Sequence, residues 1–75
     1  MAAASSRRNL GIRLAKSAKR LRSKRDWTQE QAAEAVRINP RHYQKIEEGS
    51  VNVTLSTLER LCQGFGVEVR DLFEG

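Results

Sequence analysis

The 75-residue chain has one cysteine and one histidine, and that scarcity removes whole classes of chemistry. Cys62 has no second cysteine with which to form an intramolecular disulfide, and with His42 it falls short of the roughly four ligands of a structural zinc site. No metal and no cofactor are expected. There is neither a phosphate-binding loop nor a nucleophile with an evident base, so an enzyme is not expected either. No apolar run approaches the roughly 18 residues that span a bilayer, and Ala2 to Ala4 is far too short for the core of a secretory signal. A cytoplasmic protein without a membrane partner is the expectation. Acid is missing from the first third: residues 1–25 hold nine Lys or Arg and no Asp or Glu, whereas residues 26–75 hold five basic and nine acidic residues, for a net charge of +5. Such asymmetry calls for a polyanionic partner, although charge alone does not separate DNA from RNA or an acidic membrane. A chain this short forms one small domain, for which tight helix packing or oligomerisation should matter.

What the sequence does have is helix punctuation. Thr28 followed three residues later by Gln31 is a capping-box spacing, and Trp27 just before it can staple onto Ala32. A helix is expected from Thr28 to about Val36. Asn39 then offers an N-cap oxygen, and Pro40 supplies the preset φ and the missing donor that suit a first helical position. The next helix should run to about Glu48, with Gly49 taking the left-handed C-terminal conformation. Two short helices joined by a few residues form a helix-turn-helix, whose second helix enters the major groove of DNA. Ala33 is small enough for a close helix crossing, and Ala32, Val36, Ile38, Tyr43 and Ile46 supply the inward face.

Around this unit the remaining chain reads as support. Residues 1–9 are small and polar with no periodicity, a flexible basic arm whose composition suits a solvated tail as well as a strand laid along DNA. From Leu10 to Arg25 the positions Leu10, Leu14, Ala18 and Leu21 share one face of a first helix, with basic residues on the others. A membrane-surface role for that helix is less apt, because its apolar face is narrow and wanted for the core. After a loop from Gly49 to Thr54, in which Val51 and Val53 cover the core, Thr54 caps a fourth helix carrying Leu55, Leu58, Leu61, Cys62 and Phe65, with Gly66 ending it. Cys62 reads as a small buried hydrophobe. Val67 to Phe73 should form a short fifth helix, with Val67, Val69, Leu72 and Phe73 closing the bundle.

The residues Thr28, Gln29, Ala33, Ile38, Tyr43, Ile46, Glu47 and Gly49 resemble the pattern of the XRE family, the Cro-like and lambda-repressor-like regulators. The likeness runs from about Leu14 to Phe73 and includes Leu55 to Leu58, Leu61, Phe65 to Val67 and Asp71 to Phe73. It implies an all-α fold, a compact five-helix bundle with the helix-turn-helix in helices 2 and 3, occupying residues 10–75. Two positions depart from the pattern: Arg37 and Asp26 stand where the family frequently has glycine, and a left-handed φ at either costs something. The resemblance also implies a largely enclosed salt bridge between Arg22 and Glu47.

On the third helix Tyr43 and Ile46 face inward, while Arg41, Gln44 and Lys45 face outward with Asn39 and Pro40 at its start. Their forks and amides match base edges, Arg or Lys with guanine and Asn or Gln with adenine. Thr28 and Gln29 begin the second helix, where backbone N–H groups favour a phosphate, and in the family this glutamine commonly touches one. Ser50 and Asn52 can donate to phosphates beside the recognition helix. His42 suits either a phosphate contact or plain exposure. The function expected is a sequence-specific transcriptional regulator of double-stranded DNA, a repressor acting as a homodimer on a palindromic operator, its dimer contact made by the fifth helix, the loop before the fourth, or both. The alternative is an antitoxin-like module that also binds a protein partner and regulates its own promoter.

Overall fold

Helix α1 starts at Ala3, not near Leu10, and runs to Lys24. The computed structural model describes the backbone of residues 3–73 and the side chains of Leu10 to Phe73. The expected arm thus lies largely outside the described side chains, while its backbone from Ala3 continues the helix; nothing in Ala3 to Asn9 breaks one, since Ala and Arg are strong helix formers. Helices α2 (Gln29–Val36), α3 (Pro40–Glu48) and α4 (Leu55–Phe65) follow.

The expected fifth helix is instead a 3-10 helix of four residues, Val69–Leu72, so the described residues form four α-helices. Two features keep this segment short. Its cap closes on itself, with the Glu68 amide donating to the Asp71 carboxylate at 3.0 Å. The carbonyls at its end are taken by α1: Arg20 donates to Asp71 O at 3.2 Å and Arg13 donates to Phe73 O. Arginine side chains thereby satisfy groups that a longer helix would have paired internally.

Each of these α-helices is followed by a residue in the left-handed region, directly after α2, α3 and α4 at Arg37 (φ 62°), Gly49 (φ 74°) and Gly66 (φ 70°), and two residues past Lys24 of α1 at Asp26 (φ 56°). After each, the next amide turns back to a carbonyl of the last turn, as Trp27 does to Arg22, Ile38 to Ala33, Ser50 to Lys45 and Val67 to Cys62. Glycine adopts this geometry freely; Asp26 and Arg37 do so at a cost of about 1–2 kcal/mol each.

The core comprises Leu14, Leu21, Ala32, Ala33, Val36, Ile38, Tyr43, Ile46, Leu61, Phe65 and Leu72. Several residues expected inside are not. Leu10 is 47% exposed, Leu55 80% and Val69 51%, while Cys62 and Leu58 are only half-buried. Each lies at the rim, where a small domain runs out of atoms to cover it. A close approach involves Gly64 of α4: a Cβ there would lie 2.5 Å from Val36 Cα and 2.6 Å from Ala35 O. Glycine therefore lets α4 lie directly on the backbone of α2.

Candidate nucleic-acid interface

The helix-turn-helix is held by polar contacts at its ends as much as by the core. At the start of α2 the Thr28 hydroxyl accepts from the Gln31 amide at 3.0 Å, and the Gln31 side chain accepts from the Thr28 amide at 2.8 Å, which completes the capping box. At the start of α3 the Asn39 side-chain oxygen accepts from the amides of Arg41 and His42 at 2.9 and 3.3 Å. That oxygen is thereby committed, and what Asn39 can still offer outward is its amide donors.

Behind α3 lies a buried ion pair. Arg22 of α1 grips Glu47 in a two-pronged contact, Nε to Oε2 at 2.7 Å and Nη2 to Oε1 at 3.0 Å, and its third nitrogen donates to Trp27 O at 3.1 Å. Glu47 is 1% exposed and the Arg22 side chain 22%. The Gln29 amide joins them, donating to Glu47 Oε1 at 2.9 Å. One carboxylate thus ties the end of α1, the start of α2 and the end of α3 together and fixes the angle at which α3 is presented. Burial alone would push the Glu47 carboxyl up, but the Arg22 guanidinium, with the Tyr43 phenol and the Gln29 amide, more than offsets this and holds it below the usual carboxylate range. The Tyr43 phenol is fully buried and its pKa is pushed up by that burial and by Glu47. It stands close enough to act on the carboxylate electrostatically, yet makes no hydrogen bond of ordinary length and angle.

With Tyr43, Ile46 and Glu47 turned inward, α3 leaves Arg41, Gln44 and Lys45 exposed together with Asn39 and Pro40. Five expected base-edge residues therefore share the exposed side and start of one helix. The expected phosphate set is more dispersed. Gln29 is half-buried against Glu47, which leaves its second amide hydrogen and its carbonyl unengaged by that bond. Thr28 is exposed but its oxygen is occupied as a cap. Ser50 leans back on Lys45 O at 3.4 Å, Asn52 is exposed in the loop before α4, and His42 is half-buried. Sequence reasoning missed the bond from Gln29 to Glu47 and the roles of Arg13, Arg20 and Arg25 within the fold. Arg25 donates to Leu21 O at 2.8 Å and to Phe65 O, and its guanidinium lies over both the Trp27 ring (5.6 Å) and the Phe65 ring (5.4 Å). These three arginines serve the molecule itself. Their basic type signalled only charge.

A helix-turn-helix domain family matches residues 10–74, nearly the whole chain. The chain belongs to that family. As a helix-turn-helix protein of the XRE type it is a DNA-binding transcriptional regulator. Among its relatives is the control protein C.MunI of Mycoplasma sp., 35% identical over 66 residues that make up 87% of this chain and 89% of that protein. No solved structure matches. Among the described residues, no helix of this helix-turn-helix protein is long and apolar enough to cross a membrane, and no group of three or more His, Cys, Asp or Glu could hold a metal ion.

Proposed function

We propose that this helix-turn-helix protein is a sequence-specific repressor that works in the cytoplasm as a homodimer on a palindromic operator, α3 of each copy lying in the major groove of one half-site. Half-sites would then be about 34 Å apart. The observation that carries the reading is the division of α3: one side locked by Tyr43, Ile46 and the Glu47 ion pair, the other presenting Arg41, Gln44 and Lys45. A relative named as a control protein supports the regulatory role. Arg41, Gln44 and Lys45 read base edges, with Asn39 and Pro40 at the helix start. Thr28, Gln29, His42, Ser50 and Asn52 hold the flanking phosphates. For Gln29 the bond to Glu47 is no obstacle, because the amide keeps a second hydrogen for a phosphate oxygen and is oriented by the first.

The dimer is assigned to the apolar groove that Leu55, Leu58, Cys62 and Val69 line with Glu59 and Gln63. Its two exposed apolar members, Leu55 and Val69, come from the start of α4 and from the closing 3-10 helix. A second copy is its natural occupant, since a two-fold operator needs two copies of α3.

The test is selection of bound sequences from random duplex DNA, followed by titration of two variants against single-base substitutions at fixed salt. Arg41→Ala should lose about 1–3 kcal/mol on the preferred site and relax preference at one or two base pairs. Gln29→Ala should weaken all sequences by similar factors and leave the preferred bases unchanged. A reversed pattern, or uniform binding of every duplex, would reject this docking of α3.

A further inference from the structure

Beside the recognition helix lies a basic site outside the interface assigned above. Arg37 ends α2 and Arg60 lies in the middle of α4; with Gln63 they line a cleft of about 400 Å³. Both arginines are exposed. Among the described residues neither joins a salt bridge, and no acid lines the cleft. Arg60 is not loose: one of its terminal nitrogens donates to Arg37 O at 3.1 Å. That bond fixes the guanidinium beside the turn and leaves most of its five N–H donors pointing elsewhere. Two basic side chains thus line one cleft whose lining holds no acid. The backbone adds a second sign. Arg37 sits at φ 62°, ψ 44°, a conformation that costs an arginine something and in which glycine would be unstrained.

We propose that Arg37, Arg60 and Gln63 form a phosphate clamp that takes a backbone phosphate of the duplex at the edge of the groove entered by α3. The proposal rests on the reading of α3 as the recognition helix. Arg37 stands two residues before Asn39, which caps the start of α3. If that end of the helix points to the groove floor, the residues immediately before it stand over the sugar-phosphate rail. A paired guanidinium site matches a phosphate in charge and in donor geometry, and Gln63 adds a neutral amide to the same anion. Such a contact carries no base information. It lengthens the footprint and fixes how far along the groove the helix sits.

The experiment compares the full chain with Arg37→Gly, Arg60→Gln and the double variant on the selected operator with about ten flanking base pairs on each side. Affinity is read over a range of salt concentrations, with melting temperatures alongside. Each single variant is expected to lose about three- to tenfold in affinity at low salt and to lower the magnitude of the log K against log salt slope, the double variant by about 0.9, the value for one phosphate. Base preference should stay as in the wild type. Arg37→Gly is expected to melt no lower than the parent, because glycine relieves the left-handed turn; lost affinity therefore cannot be attributed to a damaged fold. Unchanged affinity and slope in both single variants, with the wild type binding its operator, overturn the clamp and leave the α3 reading standing. Lost affinity with an unchanged slope also overturns it. A wild type that prefers no sequence removes the underlying reading and the clamp with it.

Discussion

Glu47 shows how one residue can be costly and necessary at once. A carboxylate 1% exposed has given up nearly all its water, and what replaces that water is Arg22 on two oxygens and Gln29 on one of them. Its lowered pKa sets the sign of a pH effect. Because the folded-state value lies below the unfolded one, the pair's stabilisation is fully present above the ordinary carboxylate pKa of about 4.3. It is lost as the pH falls through the lowered value. Arg22→Met should destabilise the domain at pH 7 by about 3 kcal/mol, the lower end of the range for a broken buried pair because Arg22 itself is partly solvated. In that variant burial acts on Glu47 with the guanidinium gone, so its pKa should rise above the unfolded value and the penalty should shrink on acidification. Urea unfolding of both proteins at several pH values between about 3 and 7 checks this. A penalty that grows with acid would contradict it. The pairing of Arg22 with Glu47 was readable in advance through the family pattern. The role of Gln29 was not: two residues 18 apart on different helices meet only once the crossing angle is known, and surface glutamines give no periodic signal.

At the scale of elements, local chemistry was a good guide wherever a helix begins or ends. Thr28, Asn39 and Thr54 each cap the helix they precede, since an N-cap depends on a few neighbouring residues that lie together in sequence. Arg37 and Asp26 both take the left-handed φ expected of the glycines they replace. Gly64 was opaque for the opposite reason. A glycine inside a helical run reads only as a weak helix former, and its purpose appears when α2 is laid against it. Gly64→Ala sets two effects against each other. Helix propensity favours alanine by about 0.5–1 kcal/mol, but the new Cβ would lie 2.5–2.6 Å from Val36 and Ala35 atoms, most of them backbone. Overpacking against backbone costs about 1–3 kcal/mol or more, so the variant should be less stable by thermal or urea unfolding. A more stable variant would mean that α4 can shift away from α2 without loss.

For the molecule as a whole, an all-α bundle around a helix-turn-helix was legible because a small number of apolar positions repeat at helical spacing. The closing segment was less so: Val67, Val69, Leu72 and Phe73 promised a helix by composition, yet Arg13 and Arg20 reach it from about fifty to sixty residues away and take its carbonyls. Long-range capture of that kind leaves no trace in a local pattern. Apolar residues at the rim, Leu55 and Val69 above all, follow the same rule, because periodicity predicts a face and cannot say whether the domain is large enough to cover it. Replacing Leu55, 80% exposed, should therefore cost the fold little. Leu55→Asp is expected to melt within about 0.5 kcal/mol of the parent; under the proposed dimer the wild type should sediment as a dimer and the variant as a monomer at the same concentration, with operator binding weakened in parallel. Unaltered sedimentation and binding would move the dimer contact to another surface.

The stack of Trp27, Phe65 and Arg25 gives the protein an optical property as well as a structural one. Trp27 is the only tryptophan in the chain. Its ring lies 6.0 Å from that of Phe65, inclined by 24°, with the Arg25 guanidinium 5.6 Å from its centre. These three groups come from the segment following α1, the approach to α2 and the end of α4, so the indole has its native surroundings only while all three are assembled. Its emission is a built-in fluorescent reporter of that junction, red-shifting as water reaches the ring. Assembly and loss of the junction can be followed without attaching a dye to so small a domain.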